Sequence, residues 1–209
     1  MPLKIGVLIS GSGTNLQSLI DNVESRNING EISVVISNKK DAYGLKRAQK
    51  YKIDAVYLNP KNYGSSEEYN DAIIEELEKR GVSLVVLAGY LKILSEKFIK
   101  SYRNRIINIH PSLIPSFCGK GYYGIKVHEA AIDYGVKVSG ATVHFVDEEA
   151  DTGPIILQEA VYVDGDDTKE TLQKKILKVE HKLLPTAVKY FCDGRIEVQK
   201  RKVKIKELN

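Results

Sequence analysis

The chain has 209 residues, 43% of them hydrophobic and 28% charged, which is enough to bury a sizeable core. No run approaches the length of a membrane span, and the N-terminus enters a short apolar strand pattern instead of a signal peptide, so a cytoplasmic protein is expected. The net charge of +4 is uneven, because Arg195, Lys200, Arg201, Lys202, Lys204 and Lys206 crowd the end of the chain. These alternate with Ile196, Val198, Val203 and Ile205, the pattern of a strand with one solvated basic face and not of a nucleic-acid arm. Cys118 and Cys192 have no CxxC partner or zinc spacing and read as free thiols.

Short β-branched runs alternate with amphipathic stretches through the first half. Strands are predicted at Lys4–Ile9, Ile32–Ser37, Ala55–Leu58, Ser83–Leu87 and Arg105–Ile109, with helices starting near Asn15, Ala42, Ser66 and Ser95 behind capping residues. Continuous apolar runs such as Val85–Ala88 suit strands covered on both faces. After residue 110 come a loop rich in Pro and Gly, a short helix near Ile125–Asp133, and two extended runs, Val136–Val146 and Ile155–Val163, able to pair as an antiparallel hairpin. A last helix near Thr168–Asp193 aligns Leu172, Ile176, Val179 and Leu183, with Asp167 and Glu170 spaced as a capping box. The expected architecture is a Rossmann-like open α/β sheet, parallel in the N-terminal half and mixed with an antiparallel hairpin in the C-terminal half. With no repeats or linkers, residues 1–209 read as a single domain.

Three constellations carry polar chemistry. Ser10-Gly-Ser-Gly-Thr-Asn15 lies between the first strand and first helix, where backbone N–H groups and the helix dipole can hold an anion. It is neither a complete dinucleotide fingerprint nor a Walker A sequence, and a plain tight turn competes with phosphate binding. Asn108 and His110 lie two residues apart at the carboxyl end of a strand, the edge where ligands dock in parallel sheets, and alternation points both to one side. An amide there can donate to a developing oxyanion and a histidine can move a proton. Asp147-Glu-Glu-Ala-Asp151 offers four carboxylates, one of which, placed near His110, would raise its pKa and favour the protonated ring; spacing does not choose among them. His128, His144 and His181 read as structural, although alternation with Val143 and Phe145 allows His144 to face a cleft. No metal site is expected.

Four segments together resemble the phosphoribosylglycinamide formyltransferases: Ile9-Ser-Gly-Ser-Gly-Thr-Asn-Leu-Gln, Val86-Leu-Ala-Gly-Tyr-Leu-Lys-Ile-Leu, Asn108-Ile-His-Pro-Ser-Leu-Ile-Pro-Ser-Phe and Asp151-Thr-Gly-Pro-Ile-Ile-Leu-Gln. The resemblance covers essentially the whole chain. It implies transfer of a formyl group from 10-formyltetrahydrofolate, as co-substrate, to glycinamide ribonucleotide in purine synthesis, with no metal, nucleic acid or membrane involved and a monomer or homodimer as the assembly. It implies Asn108, His110 and Asp151 as the catalytic group. Gly13, Thr14 and Asn15 would hold the phosphate and Glu180 the ribose. Leu91, Lys92, Ile93 and Leu94, with Asn108 and Asp147, Glu148, Glu149, Ala150 and Asp151, would border the folate. Residues 1–110 would form the phosphate-binding half and 111–209 the folate-binding and catalytic-loop half. Ser66 stands where some members carry an Arg that reaches the phosphate, with Lys61 as an alternative cation, and Cys118 stands where Pro is common. A formyltetrahydrofolate hydrolase and a non-catalytic folate- or nucleotide-binding module are the alternatives; a methionyl-tRNA formyltransferase shares the middle motif but would bring a further tRNA-binding domain.

Overall fold

A computed structural model describes residues 2–207; Met1, Leu208 and Asn209, the ends of the expected 1–209 domain, lie outside the described residues. The chain divides into two compact units, up to Ile107 and from Asn108 onward, so the division falls inside a strand, Ile106–His110 (β5).

The first unit is built on strands Leu3–Ile9 (β1), Gly30–Ser37 (β2), Asp54–Tyr57 (β3) and Leu84–Leu87 (β4), in the order β3-β2-β1-β4, with neighbouring strands parallel. Parallel neighbours need crossovers, supplied here by helices Thr14–Glu24 (α1), Tyr43–Lys50 (α2) and Ser66–Glu78 (α3). These bury one stripe each, Leu16, Leu19 and Ile20 on α1 and Tyr69, Ile73, Ile74 and Leu77 on α3. Such a layered core strips water from both sheet faces, and Val7, Val35 and Val86 are fully buried. Helix Glu96–Ser101 (α4) follows β4. The order reverses at β1 and β4, and their carboxyl ends are joined by the bond from Ser10 N to Gly89 O, 3.1 Å. Ligands dock at such a reversal.

The second unit pairs Val138–Phe145 (β6) with Ile155–Tyr162 (β7) in antiparallel register, as the hairpin expectation required, with a bulge between Val143 and His144. Helix Ile125–Tyr134 (α5) precedes it and helix Lys169–Cys192 (α6) follows, burying Leu172, Ile176, Val179 and Leu183. Two details differ from the sequence reading. The capping box of α6 belongs to Thr168 and Thr171, while the Asp167 carboxylate accepts from the Thr171 hydroxyl and pairs with Lys175. The basic tail is two strands, Ile196–Gln199 (β8) and Lys202–Ile205 (β9), because Lys200 turns the chain at φ 56°. Among the described residues no helix is long and apolar enough to cross a membrane.

Gly153, in the connection between β6 and β7, lies so close to the Phe145 carbonyl that a Cβ would collide with backbone. Gly153→Ala is therefore expected to lower unfolding stability by about 1–3 kcal/mol in urea titration, the usual range for overpacking; an unchanged midpoint would show that the connection relaxes freely.

Candidate active site

In the second unit four polar side chains converge. Asn108 and His110 leave the end of β5, His144 leaves β6 just after its bulge, and Asp151 leaves the β6–β7 connection. Asn108 Nδ2 lies 3.1 Å from His144 Nε2, and His144 Nδ1 lies 2.8 Å from the Phe145 carbonyl. A carbonyl only accepts, so Nδ1 carries the proton and Nε2 accepts from the Asn108 amide. That fixes the amide with a second N–H still able to donate. Asp151 stands between the rings, Oδ2 at 3.5 Å from His110 Nδ1 and Oδ1 at 3.6 Å from His144 Nε2. These separations are ion-pair distances and too long for direct hydrogen bonds.

The loop after β5 completes the group. His110 Nε2 is 2.9 Å from the Phe117 carbonyl, and the Gly119 N–H donates to Asp151 Oδ2 at 2.8 Å. Phe117 and Asp151 both adopt left-handed backbone, at φ 48° and 59°. Asp tolerates that region better than most residues, which suits it to this corner. Farther along, Thr142 Oγ1 donates to Ser112 O and accepts from Ile114 N and Gln158 Nε2, pinning the start of the loop in the core.

Burial pushes the Asp151 carboxyl up, but His144, the charge of His110 and the Gly119 N–H outweigh it, and it is held below the usual carboxylate range. For His110, burial pushes the pKa down, and Asp151 and the Phe117 carbonyl recover only part of the loss; the ring titrates below its ordinary value. This corrects the expectation of a protonated His110. The carboxylate acts in the expected direction, but an imidazole that is only 4% exposed loses more hydration than one neighbour restores.

Of the other acidic loop residues, Asp147 accepts from the Thr152 hydroxyl at 2.6 Å and braces the turn, while Glu148 and Glu149 are exposed. The loop geometry thus singles out Asp151, which spacing could not do. Glu180 is buried on α6. His144, the Phe117 carbonyl and the Gly119 N–H were not singled out from the sequence. Among the described residues no cluster able to hold a metal ion is present.

In the first unit Gly13 precedes α1 at φ 70°, and a Cβ there would lie 2.6 Å from Gly44 Cα. The expectation of a polar cap at each helix fails for α1 and α2, which follow Gly13 and Ala42 without side-chain caps, whereas Ser65 and Ser95 do cap α3 and α4. At α1 the first backbone N–H groups therefore have no side-chain cap. The Leu91 N–H donates to Ser10 Oγ at 2.9 Å, which in turn donates to Asn38 Oδ1 at 2.6 Å, tying residues 91–94 to the turn. Leu91 and Ile93 are exposed, Leu94 is buried, and Ser66 is simply the first residue of α3.

A family model described as "Formyl transferase" matches residues 3–188. The chain belongs to the formyl transferase family. It is 43% identical over 196 residues to a phosphoribosylglycinamide formyltransferase of Haemophilus influenzae, covering 94% of this chain and 90% of that one. A trifunctional purine biosynthetic protein adenosine-3 of Gallus gallus is 42% identical across 94% of the chain, which spans only 19% of that longer protein. The crystal structure of glycinamide ribonucleotide transformylase 1 from Symbiobacterium toebii superposes with a TM-score of 0.94 at 45% identity, covering 99% and 95% of the two chains.

His128, on α5, is 3% exposed with a buried, unpartnered Nδ1, and burial aided by the charge of His110 pushes its pKa down to about 4. Above pH 6.5 both folded and unfolded chains keep this ring neutral. As pH falls from there to about 4 only the unfolded chain takes the proton, so stability falls by about 3 kcal/mol from this group. His128→Gln is expected to show a smaller acid loss than wild type in urea unfolding at pH 7 and pH 4.5; equal losses would contradict this.

Proposed function

We infer that the protein transfers the formyl group of 10-formyltetrahydrofolate to the amine of glycinamide ribonucleotide. The observation that carries this reading is the convergence of Asn108, His110, His144 and Asp151 in one unit of a formyl transferase family member. The substrate amine attacks the formyl carbon, and a carbon–nitrogen bond forms as the carbonyl oxygen becomes an oxyanion. Asn108, its amide fixed by His144, donates its second N–H to that oxygen.

Neutral His110 takes the proton that the attacking amine sheds. At 2.9 Å from the Phe117 carbonyl its Nε2 must carry hydrogen, so substrate has to displace that carbonyl before Nε2 can accept. Asp151 then holds the tautomer with Nδ1–H and stabilises the imidazolium, whose two N–H groups again have acceptors. Collapse breaks the bond to N10 of the folate, which receives a proton. No covalent enzyme intermediate is needed, and positioning with charge stabilisation supplies the rate.

In this reading Gly13, Thr14 and Asn15 hold the phosphate, and Glu180 contacts the ribose hydroxyls. Leu91, Lys92, Ile93 and Leu94, and separately residues 147–151, are the segments given to folate contacts. The co-substrate enters and leaves each turnover.

Formyl transfer is tested by following folate absorbance with and without glycinamide ribonucleotide. Release that depends on the ribonucleotide is expected; equal release without it would mark a hydrolase. Asn108→Ala should lower kcat by about 10²–10³-fold, the effect of removing one oxyanion donor, with little change in donor binding. Asp151→Asn keeps a residue tolerant of left-handed backbone and removes only the charge. Because Asp151 raises the His110 pKa, its loss should also move the acid limb of kcat/KM to lower pH; near-wild-type turnover with an unmoved limb would exclude the assigned role. Gly13→Ala should raise KM for the ribonucleotide and spare that of the folate.

A further inference from the structure

The loop that follows β5 is divided by its own hydrogen bonds into a root and a tip. Residues 112–116 form the root: Ser112 Oγ donates to the Ser116 carbonyl at 2.6 Å, and the Ser116 N–H donates to the Leu113 carbonyl at 2.9 Å. The tip begins at Phe117, where the backbone turns left-handed, and a Cβ added at Gly121 or Gly124 would meet nothing within 4 Å. This loosely surrounded tip nevertheless carries both backbone groups that touch the catalytic side chains, the Phe117 carbonyl at His110 Nε2 and the Gly119 N–H at Asp151 Oδ2. Where those two groups stand is therefore set largely by the root.

The root in turn is held by two side chains that lie opposite each other in the β6–β7 register, Thr142 and Gln158. Gln158 is exposed on β7, but its amide reaches inward, with Nε2 at 2.9 Å from Thr142 Oγ1 and 3.0 Å from the Ile114 carbonyl. A carbonyl only accepts, so the nitrogen of the amide faces the root and both of its hydrogens are used. Thr142 is fully buried, and its two lone pairs accept from Gln158 and from the Ile114 N–H at 3.1 Å. That leaves its own hydrogen for the Ser112 carbonyl at 2.6 Å. Gln158 thus fixes both the Ile114 carbonyl and the direction of the Thr142 hydroxyl.

We propose that Gln158, acting through Thr142 and the loop root, is a positioning residue for His110 and Asp151. Its kinetic consequence rests on the formyl-transfer reading above. In the free protein the Phe117 carbonyl holds the His110 hydrogen on Nε2, while Asp151 Oδ2, 3.5 Å from Nδ1, draws it toward the other nitrogen. A root without its anchor lets the carbonyl drift, and the hydrogen passes to Nδ1. The same drift takes the Gly119 N–H from Asp151, so the carboxylate that steadies the imidazolium is itself less well placed.

The test compares wild type with Gln158→Met, which keeps the reach of the side chain and removes both donors, and with Thr142→Ser, which keeps the hydroxyl. Two quantities are read: kcat and KM for 10-formyltetrahydrofolate and glycinamide ribonucleotide, and the His110 tautomer in the free protein by nitrogen-resolved NMR. For Gln158→Met the expected result is a kcat about tenfold lower with both KM values within about twofold, since small misplacements act on rate more than on binding. Its His110 signals should move toward the Nδ1–H tautomer, and Thr142→Ser should keep both quantities at wild-type values. Wild-type kcat and tautomer in Gln158→Met would overturn the proposal. So would a fall in kcat with the tautomer unmoved, which is what a merely structural role produces. Absence of transfer by the wild-type protein would instead refute the formyl-transfer reading, while the tautomer comparison still decides whether Gln158 positions His110.

Discussion

An ionised carboxylate held between two buried imidazoles is the interaction on which the catalytic group depends. Asp151 stays charged at 15% side-chain exposure because the Gly119 N–H donates to it and His110 stands ready to pair with it once protonated. A buried charge without such partners would be protonated instead. The loop carrying Phe117 and Gly119 is therefore part of the electrostatics of the site and not merely a cover over it. Through Gly119 it donates to the carboxylate, and through the Phe117 carbonyl it accepts from His110 Nε2.

The same arrangement explains how a neutral histidine serves at this position. Burial removes the cost-free hydration of an imidazolium, while Asp151 and a second acceptor make the charged ring tolerable once a proton arrives. His144 has a different task. With Nδ1–H committed to the Phe145 carbonyl, its Nε2 orients the Asn108 amide, so the amide and the His110 ring are fixed by separate contacts.

Much of this was legible in the sequence, for identifiable reasons. The parallel strands announce themselves as β-branched runs because both faces are buried, and Asn108 and His110 share a side because strand alternation is strict. Alternation allowed His144 to face a cleft, but it read as structural because β6 is buried on both faces, where alternation separates core from site poorly. Asp151 could not be separated from Asp147 without the left-handed turn and a donor 32 residues away in sequence. The protonation of His110 was misjudged since nearby charge is visible in a motif and desolvation is not. At the helix ends, Thr168 displaced Asp167 as the cap of α6 because Lys175 claims the carboxylate.

The state of the His110 ring carries the whole mechanism and can be read directly by a nitrogen-resolved NMR titration, assigned by comparison with His110→Gln. A midpoint below 6.5 is expected, with the ring singly protonated at neutral pH and the hydrogen on Nε2 in the free protein. A midpoint above 6.5, with both nitrogens protonated at pH 7, would contradict a neutral acceptor at this position.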